Sequence, residues 1–579
     1  MDAIFRNLIR MNDEWTEASL RGQIRDAASR YNGGVRDESG IARPTHVGTP
    51  RHMAVWACAL VHPDSRYYHD EELLEAFGHA CDFILNRQHP DGTVSLGSTN
   101  FNSPPDTAFV VGGLAQVYRL LEGHEWAPLA GAREKLRLFL ARTIPAMETG
   151  GCHTPNHRWV LTAALSMLHE LFGRPELAAR AEEWLAEGMD ITSDGEWTER
   201  SNGIYNAVSD IALYHTARLL GRPELLEYVR RNLKMMAYLF HPGGEVVTDY
   251  SGRQDFGQAA DPAPYALVCR LMAAHDRDGL LAEMADYAAG FVRQPEAVNN
   301  NLLLGYLLDP SLSLAGVERT PLPDRYEVVL NGTHPVREHT ALAEKAGHGL
   351  RILHSSMHLA FGSPVVRIRD GELSATVMAG TPSFMSLRHG AAKLLGVKLA
   401  ASFEPGIVKF DELQQPGGGV YRLVRTAEKG YNGPVPQELL PARPGSGDLS
   451  PWYLLPHQLR PMTHLQEHRL EAEVSRTGSE WKIRVRSDER EDVLAQLTFV
   501  FGPGGELDGE GLQPAGEGRH FLTGGHAVYR AGRAAMELTG GAFEHRLPEL
   551  REDVHPAGCR CVHVNLVTPF DHTVTIRLL

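Results

Sequence analysis

The feature that most constrains the fold is a Gly-rich turn phrase that returns along the first half of the chain. Its glycines stand roughly 50 residues apart, and amphipathic helical patterns fill the spaces between them. Each space has room for two helices and two connections. This repeat predicts an array of helical hairpins. The phrases contain Gly34, Gly92, Gly151, Gly195 and Gly244.

The link inside each hairpin is short, and residues 173–177 and 221–225 both read Gly-Arg-Pro-Glu-Leu. Proline suits the first turn of a second helix. First helices are rich in small and apolar residues and second helices are more charged, so we expect the first to be inner and the second outer. Hairpins that close on themselves make an (α/α) toroid, which we expect over residues 1–315. An open solenoid is the alternative.

The pattern changes after about residue 315 to short runs in which apolar and polar residues alternate, which is typical of half-buried antiparallel strands. We therefore expect an antiparallel β-sandwich domain over residues 316–579. The Gly- and Pro-rich segment 417–456 is expected to form long surface loops. The alternating runs are residues 326–330, 365–369, 481–486 and 573–578.

A formal net charge of -15 argues against a nucleic-acid partner, because phosphate binding requires a basic face. No apolar run is long enough for a membrane span. The first residues lack the apolar core of a signal peptide, so a cytoplasmic location is expected. The oligomeric state is left open, with a homo-oligomer among the alternatives.

Two stretches carry a set of side chains suited to acid–base chemistry. In the first, Pro155 opens a helix, so Asn156, His157, Arg158 and Trp159 lie in its first turn. His153 lies on the loop before it. The partial positive charge of a helix N-terminus favours a bound carboxylate. The alternative is that Asn156 only caps the helix and that its neighbours are ordinary polar residues.

In the second stretch, Asn202, Tyr205 and Asn206 have i, i+3, i+4 spacing and share one face of a helix that we expect to begin near Ser201. Further candidates are contributed by other loops and by the second domain. No dense metal-ligand cluster is present, so no cofactor is expected, and nothing supports a structural divalent cation. The further candidate residues are Trp197, Arg200, Asn100, Arg253 and His389.

Asn156-His157 at one helix start, Asp194-Gly195-x-x-x-Glu199-x-Ser201-x-x-x-Tyr205 at the next, and an all-β second domain resemble the toroid-plus-β-sandwich polysaccharide lyases, the heparinase II/III-like and alginate or oligoalginate lyase group. The resemblance implies that Asn156 and His157 engage a uronate carboxylate and that Tyr205 moves the proton. This chain departs from the family pattern at Asn206, where family members often have histidine.

The expected function is therefore β-elimination at a 4-linked uronic acid in an oligosaccharide or polysaccharide. Removal of the C5 proton requires stabilisation of the charge on the neighbouring carboxylate, for which Asn156, Arg158 and Arg200 are candidates. Either His157 or Tyr205 is the base, and Tyr205 is the better candidate for the acid.

Two rival functions fit parts of the sequence. A glycoside hydrolase on the same toroid, resembling unsaturated glucuronyl hydrolases, would use two carboxylates. A non-catalytic carbohydrate-binding protein would use Trp159 and Trp197 as stacking platforms. The carboxylates available to a hydrolase are Asp106, Asp194, Glu196, Glu199 and Asp249.

Overall fold

The chain forms two compact units in the computed structural model, which describes residues 3–346, 360–440, 452 and 455–579. The helical unit comprises Met1–Asp324 and His334–Gly362, and the sheet unit comprises Arg325–Thr333 and Ser363–Leu579. Each unit has an architecture of its own.

The helical unit contains thirteen described α-helices, none of which is long and apolar enough to cross a membrane. In chain order they are α1 (Ala3–Gly22), α2 (Thr49–Val61), α3 (Glu71–Arg87), α4 (Pro104–Glu122), α5 (Ala130–Thr149), α6 (Pro155–Phe172), α7 (Pro175–Leu185), α8 (Tyr205–Leu219), α9 (Leu226–Met236), α10 (Ala266–Asp276), α11 (Gly279–Ala289), α12 (Leu302–Leu308) and α13 (Val336–Ala346).

Alternate helices of this unit form a closed inner ring. Helix α2 packs on α4, α4 on α6, α6 on α8, α8 on α10 and α10 on α12, and α12 returns to pack on α2. The intervening helices α3, α5, α7, α9 and α11 lie outside, each against the inner helix that precedes it, and α1 packs on α2 and α12. This closure confirms the predicted (α/α) toroid over the open solenoid.

Composition explains which helices are inner. Helix α2 is buried continuously over residues 53–61, which are all apolar, and a helix that is apolar on every side is stable only when it is surrounded. Helix α3 instead buries one stripe that includes Leu73, Phe77 and Ile84. Its remaining surface is polar and faces outward. The prediction of apolar inner and charged outer helices is therefore confirmed.

The Gly-rich turns allow loops to lie close against outer helices. Gly195 has a φ of +106°, in the left-handed region that favours glycine. A Cβ atom there would lie 2.4 Å from the carbonyl oxygen of Arg231 on α9. Asn232 of the same helix donates a hydrogen bond to the Gly195 carbonyl at 2.7 Å. Glycine thus fixes the loop that leads into α8.

The sheet unit is built from seventeen described strands. They are β1 (Arg325–Leu330), β2 (Val365–Asp370), β3 (Leu373–Met378), β4 (Met385–His389), β5 (Ala392–Ala401), β6 (Glu412–Gly417), β7 (Val420–Asn432), β8 (Met462–Thr477), β9 (Glu480–Ser487), β10 (Leu494–Phe501), β11 (Glu506–Asp508), β12 (Leu512–Gly516), β13 (Arg519–Leu522), β14 (His526–Ala531), β15 (Ala534–Thr539), β16 (Arg560–Val567) and β17 (Phe570–Leu578).

These strands form a nine-stranded sheet, in the order β1-β2-β3-β4-β5-β10-β16-β13-β12, and an eight-stranded sheet, in the order β11-β14-β15-β17-β9-β8-β7-β6. The strands of both sheets contribute to one hydrophobic core. In β9, Trp481, Ile483 and Val485 are buried in it, as the period of two requires. The predicted antiparallel β-sandwich is confirmed.

One sequence prediction about this unit is wrong. Residues 417–456 were expected to be surface loops, yet β7 occupies Val420–Asn432 and pairs antiparallel with β8 as far as Met462. Most glycines and prolines of this segment lie before or after the paired residues of β7 and β8, so they do not prevent the pairing. Residues 441–451, 453 and 454 lie outside the described part of the chain.

Candidate active site

The inner helices α6 and α8 pack against each other and each follows a Gly-rich loop. Helix α6 begins at Pro155, whose fixed φ suits a first helical position, and α8 begins at Tyr205. Asn156 and His157 therefore lie in the first turn of one helix, and Tyr205 opens the next.

Glu199 joins the two loops through charge-assisted hydrogen bonds. Asn156 Nδ2 donates to both carboxylate oxygens, at 3.0 and 2.9 Å, and Arg253 Nη1 donates at 2.9 Å. The Glu199 side chain is only 3% exposed. These bonds hold the amide of Asn156 in one orientation. Its Oδ1 atom is buried and has no hydrogen-bond partner within the described part of the chain.

Tyr205 is held on two sides by residues of the loop that precedes α10. The guanidinium of Arg253 lies over its ring, 4.6 Å from the centroid. Gln254 Nε2 donates a hydrogen bond to the phenol oxygen at 2.7 Å. Because the oxygen is the acceptor in this bond, the phenol proton is left for another partner. The ring itself is half-buried.

His157 is a buried, neutral imidazole. Its ring meets the ring of Phe109 at 6.2 Å and that of His153 at 4.8 Å, both edge to face. Burial lowers the pKa of His157 to about 3, and the nearby charges of His153, Arg253 and His46 act in the same direction. Its Nδ1 atom is buried without a hydrogen-bond partner among the described residues. This nitrogen lies unpaired in the interior, where a bound polar group would satisfy it.

Glu199 is itself strongly perturbed. Burial raises its pKa to about 7, although the charge of Arg253 and the hydrogen bonds from Asn156 lower it. Near neutral pH its carboxylate is therefore only partly ionised. The charge of Arg253 is neutralised to the same partial extent.

The loop before α8 takes its shape from Asp255. This carboxylate accepts hydrogen bonds from Ser201 Oγ at 3.0 Å and from the Gly203 N–H at 2.9 Å. The turn delays the helix, which begins at Tyr205, so the expected start near Ser201 is wrong. The amides of Asn202 and Asn206 still meet, at 3.1 Å.

Two predicted cations are paired with internal carboxylates. Arg158 Nη2 contacts Asp190 at 2.9 Å. Arg200 Nε contacts Glu196 at 3.2 Å, and the Arg200 side chain is 1% exposed. In this structure both arginines stabilise the loops. Catalysis by Arg200 and substrate binding by Arg158 stay predictions.

Four further predicted residues lie in the interior beneath these loops. Trp159 and Trp197 are 0% and 2% exposed, and their rings pack 6.2 Å apart. Their indole nitrogens donate to Asp190 and Asp210. Asn202 and Asn206 are also buried. Because a sugar cannot stack on a ring that is closed to solvent, the structure gives both tryptophans a packing role.

The remaining predicted residues lie on three different elements of the chain. Asn100 donates to Asp106 at 2.8 Å in the loop before α4. His153 is half-buried against His157. His389 ends β4 in the sheet unit and is half-buried.

Sequence reasoning missed two parts of this cluster. Glu199 was named as part of the loop motif and as a carboxylate for a hydrolase, without its contacts to Asn156 and Arg253, and Gln254 was not singled out. The available signals were the place of Glu199 in the loop motif and the position of Gln254 beside Arg253. Within the described ranges, no group of three or more His, Cys, Asp or Glu side chains is placed to hold a metal ion.

Comparison with solved structures relates the fold to known proteins. A heparinase III superposes with a TM-score of 0.52 at 10% sequence identity, over 98% of this chain and 84% of that chain. A xanthan lyase from Paenibacillus superposes with a TM-score of 0.55 at 7% identity, over 100% of this chain and 57% of its own length. The toroid-plus-β-sandwich architecture is thus shared with polysaccharide lyases. No family model matches the sequence, and no curated protein matches it.

Proposed function

We propose that this protein is a polysaccharide lyase that cleaves a 4-linked uronic-acid glycoside by β-elimination. The observation that carries the proposal is the cluster of Asn156, His157, Arg253 and Tyr205 at one end of the helical ring. Among the described residues, it combines a buried amide oxygen and an imidazole nitrogen that lack hydrogen-bond partners, a cation, and a phenol whose oxygen accepts a hydrogen bond. The shared fold with two polysaccharide lyases supports the same class of reaction.

The first step removes the C5 proton next to the uronate carboxylate. The electron pair of the C–H bond moves toward the carboxylate, and the resulting charge must be stabilised. Arg253 supplies a cation for this charge, and it is bonded to the partly ionised Glu199. His157 supplies a neutral ring nitrogen, as a hydrogen-bond donor or acceptor, at the same end of the helical ring.

The second step breaks the bond between C4 and the leaving oxygen, which must gain a proton. The hydrogen bond from Gln254 occupies only one lone pair of the Tyr205 oxygen, which supports a role for Tyr205 in proton transfer. A histidine whose pKa is about 3 is a weak base. We therefore assign both proton transfers to Tyr205. Its phenolate, to which Gln254 donates a hydrogen bond, takes the C5 proton, and the phenol so formed passes that proton to the leaving oxygen. His157 and Arg253 bind the carboxylate, and Asn156, whose amide nitrogen is bonded to Glu199, offers its oxygen to a hydroxyl group of the substrate.

The proposal is tested by following the ultraviolet absorbance of unsaturated uronides with a panel of uronic-acid polymers. Tyr205→Phe should lower the rate by about a hundred-fold or more. The matched control is Tyr228→Phe, since Tyr228 also lies under an arginine, Arg231, at 5.6 Å, but on outer helix α9. Equal rates for the two variants would contradict the proposal.

A hydrolase is the second candidate, and the raised pKa of Glu199 favours it because a general acid must hold a proton near neutral pH. Two other candidate carboxylates are engaged in internal contacts. Asp106 accepts a hydrogen bond from Ser103 Oγ at 2.6 Å, and Glu196 forms an ion pair with Arg200. In this case unsaturated oligosaccharides would lose absorbance, and Glu199→Gln would stop the loss. Binding without any product would instead favour the carbohydrate-binding alternative.

A further inference from the structure

One buried carboxylate joins the two turns that meet at Tyr205. Asp255 is 3% exposed. Its Oδ1 atom accepts a hydrogen bond from Ser201 Oγ at 3.0 Å, and its Oδ2 atom accepts from the Gly203 N–H at 2.9 Å and from Ser251 Oγ at 2.8 Å. Ser201 and Gly203 belong to the turn before α8, and Ser251 belongs to the loop before α10. Because a buried carboxylate needs such donors, these bonds fix the two turns against each other.

Ser201 transmits this contact to the first residue of α8. Its hydroxyl proton is donated to Asp255, so a lone pair of the same oxygen can accept the Tyr205 N–H, which lies at 3.2 Å. The Ser201 carbonyl accepts the Asn206 N–H at 3.0 Å. Ile204, immediately before the helix, has no side-chain oxygen to act as a cap. Ser201 therefore sets the position at which α8 begins, and with it the backbone of Tyr205.

The other turn holds the ring of Tyr205. Arg253 and Gln254 lie between Ser251 and Asp255, whose side chains are joined by the bond at 2.8 Å. Gln254 donates to the phenol oxygen at 2.7 Å, and the guanidinium of Arg253 lies over the ring. The backbone and the phenol of one tyrosine are thus both connected to the same carboxylate.

We propose that Asp255 is a positioning residue for Tyr205, which aligns the phenol through Ser201 and through the turn that carries Gln254. The inference rests on the proposed function and extends it, since Asp255 is buried and acts only through its neighbours. Displacement of a reacting group by about 1 Å can cost about a hundred-fold in rate. A carboxylate that only stabilised the fold would have no particular effect on the proton transfers of Tyr205.

The test compares Asp255→Asn and Ser201→Ala on the uronic-acid polymer that yields the unsaturated product. Asparagine replaces one carboxylate oxygen with an NH2 group, which cannot accept a hydrogen bond, and alanine removes the hydroxyl link. Each change should lower kcat about ten-fold, because a displaced phenol transfers protons more slowly. KM should stay within about two-fold, because Arg253 keeps its bond to Glu199.

The Tyr205→Phe background separates positioning from general stabilisation. That protein has no phenol to align, so adding Asp255→Asn or Ser201→Ala should leave its residual rate unchanged. A further ten-fold loss in this background would overturn the proposal. The control is Asp278→Asn, since Asp278 accepts two backbone N–H bonds, at 2.8 and 3.1 Å, at the start of outer helix α11. It should keep the kcat of the unmodified protein.

A measurement without substrate keeps this inference separate from the proposed function. In protein with isotope-labelled tyrosine rings, the NMR signal of Tyr205 is the one that is absent from Tyr205→Phe. It should move in Asp255→Asn and in Ser201→Ala, and stay in place in Asp278→Asn. An unmoved signal in the first two variants would contradict the positioning role. If the unmodified protein forms no unsaturated product while the signal moves, only the proposed function fails.

Discussion

Burial raises the pKa of Glu199 and the charge of Arg253 lowers it, and burial has the larger effect. Its pKa rises from 4.5 to about 7, so the folded protein holds this proton over a pH range in which the unfolded chain has released it. Stability from this group is therefore fully present below pH 4.5 and is lost as the pH rises to about 7.

Glu199→Gln should remove this pH dependence. Relative to the unmodified protein, the variant should gain up to about 3 kcal/mol of stability between pH 4.5 and pH 8, because the buried charge is gone. Urea unfolding followed by circular dichroism at both pH values measures the change. Glu183→Gln, on the exposed side of α7, should show no such change. A Glu199→Gln difference that is constant with pH would contradict the pKa assignment.

The sequence singled out candidate site residues but not the contacts that they make. Asn156, His157 and Tyr205 follow from local motifs at helix starts. The contact between Arg253 and Glu199 joins residues 54 positions apart, and no local pattern pairs two loops at that separation. For the same reason the pairing of Arg158 with Asp190 was not foreseen. Arg200 pairs with Glu196 only four residues away, and this contact was missed because a loop has no regular side-chain spacing.

At the scale of elements, periodicity predicted the hairpins because it is a local property of the chain. The start of α8 was misplaced because Asp255, which holds the preceding turn, lies 54 residues beyond Ser201. Strand β7 was mistaken for loop because its ladder depends on pairing with β8, across residues 433–461. Both errors arise where a distant partner overrides local composition.

Gly195→Ala tests the conformation of the loop that leads into α8. Alanine at a φ of +106°, with Cβ 2.4 Å from a backbone oxygen, should destabilise the helical unit by about 2 kcal/mol or more. Gly243→Ala is the control, since a Cβ at Gly243 meets no atom of the described residues within 4 Å. Thermal unfolding should separate the two variants. A similar melting temperature for both would mean that the loop does not require glycine.

At the scale of the whole molecule, closure of the ring is the feature that sequence alone left open. Closure depends on α12, which packs on both α2 and α10. Gly305 of α12 permits the contact with α10, because a Cβ there would lie 2.5 Å from Cδ1 of Leu267 on α10. The contact between α12 and α2 joins helices from opposite ends of the helical unit, so hairpin periodicity predicts the repeat but not its closure.

Gly305→Val should destabilise the contact between α10 and α12 by about 2 kcal/mol through overpacking. Gly131→Val, on outer helix α5 where a Cβ meets nothing within 4 Å, should be neutral. Unfolding by urea, followed by circular dichroism, compares the two. Equal stability would show that the α10–α12 contact tolerates a larger side chain.

A toroid joined to a β-sandwich does not by itself define a reaction, so bond cleavage at the cluster of Asn156, His157, Arg253 and Tyr205 needs a direct test. The most direct measurement is mass spectrometry of the products formed in water labelled with heavy oxygen. β-Elimination predicts an unsaturated product, lighter by one water than the hydrolysis product, and no label in either fragment at the cleaved bond. Incorporation of heavy oxygen at that bond would contradict elimination and assign the protein to the hydrolases.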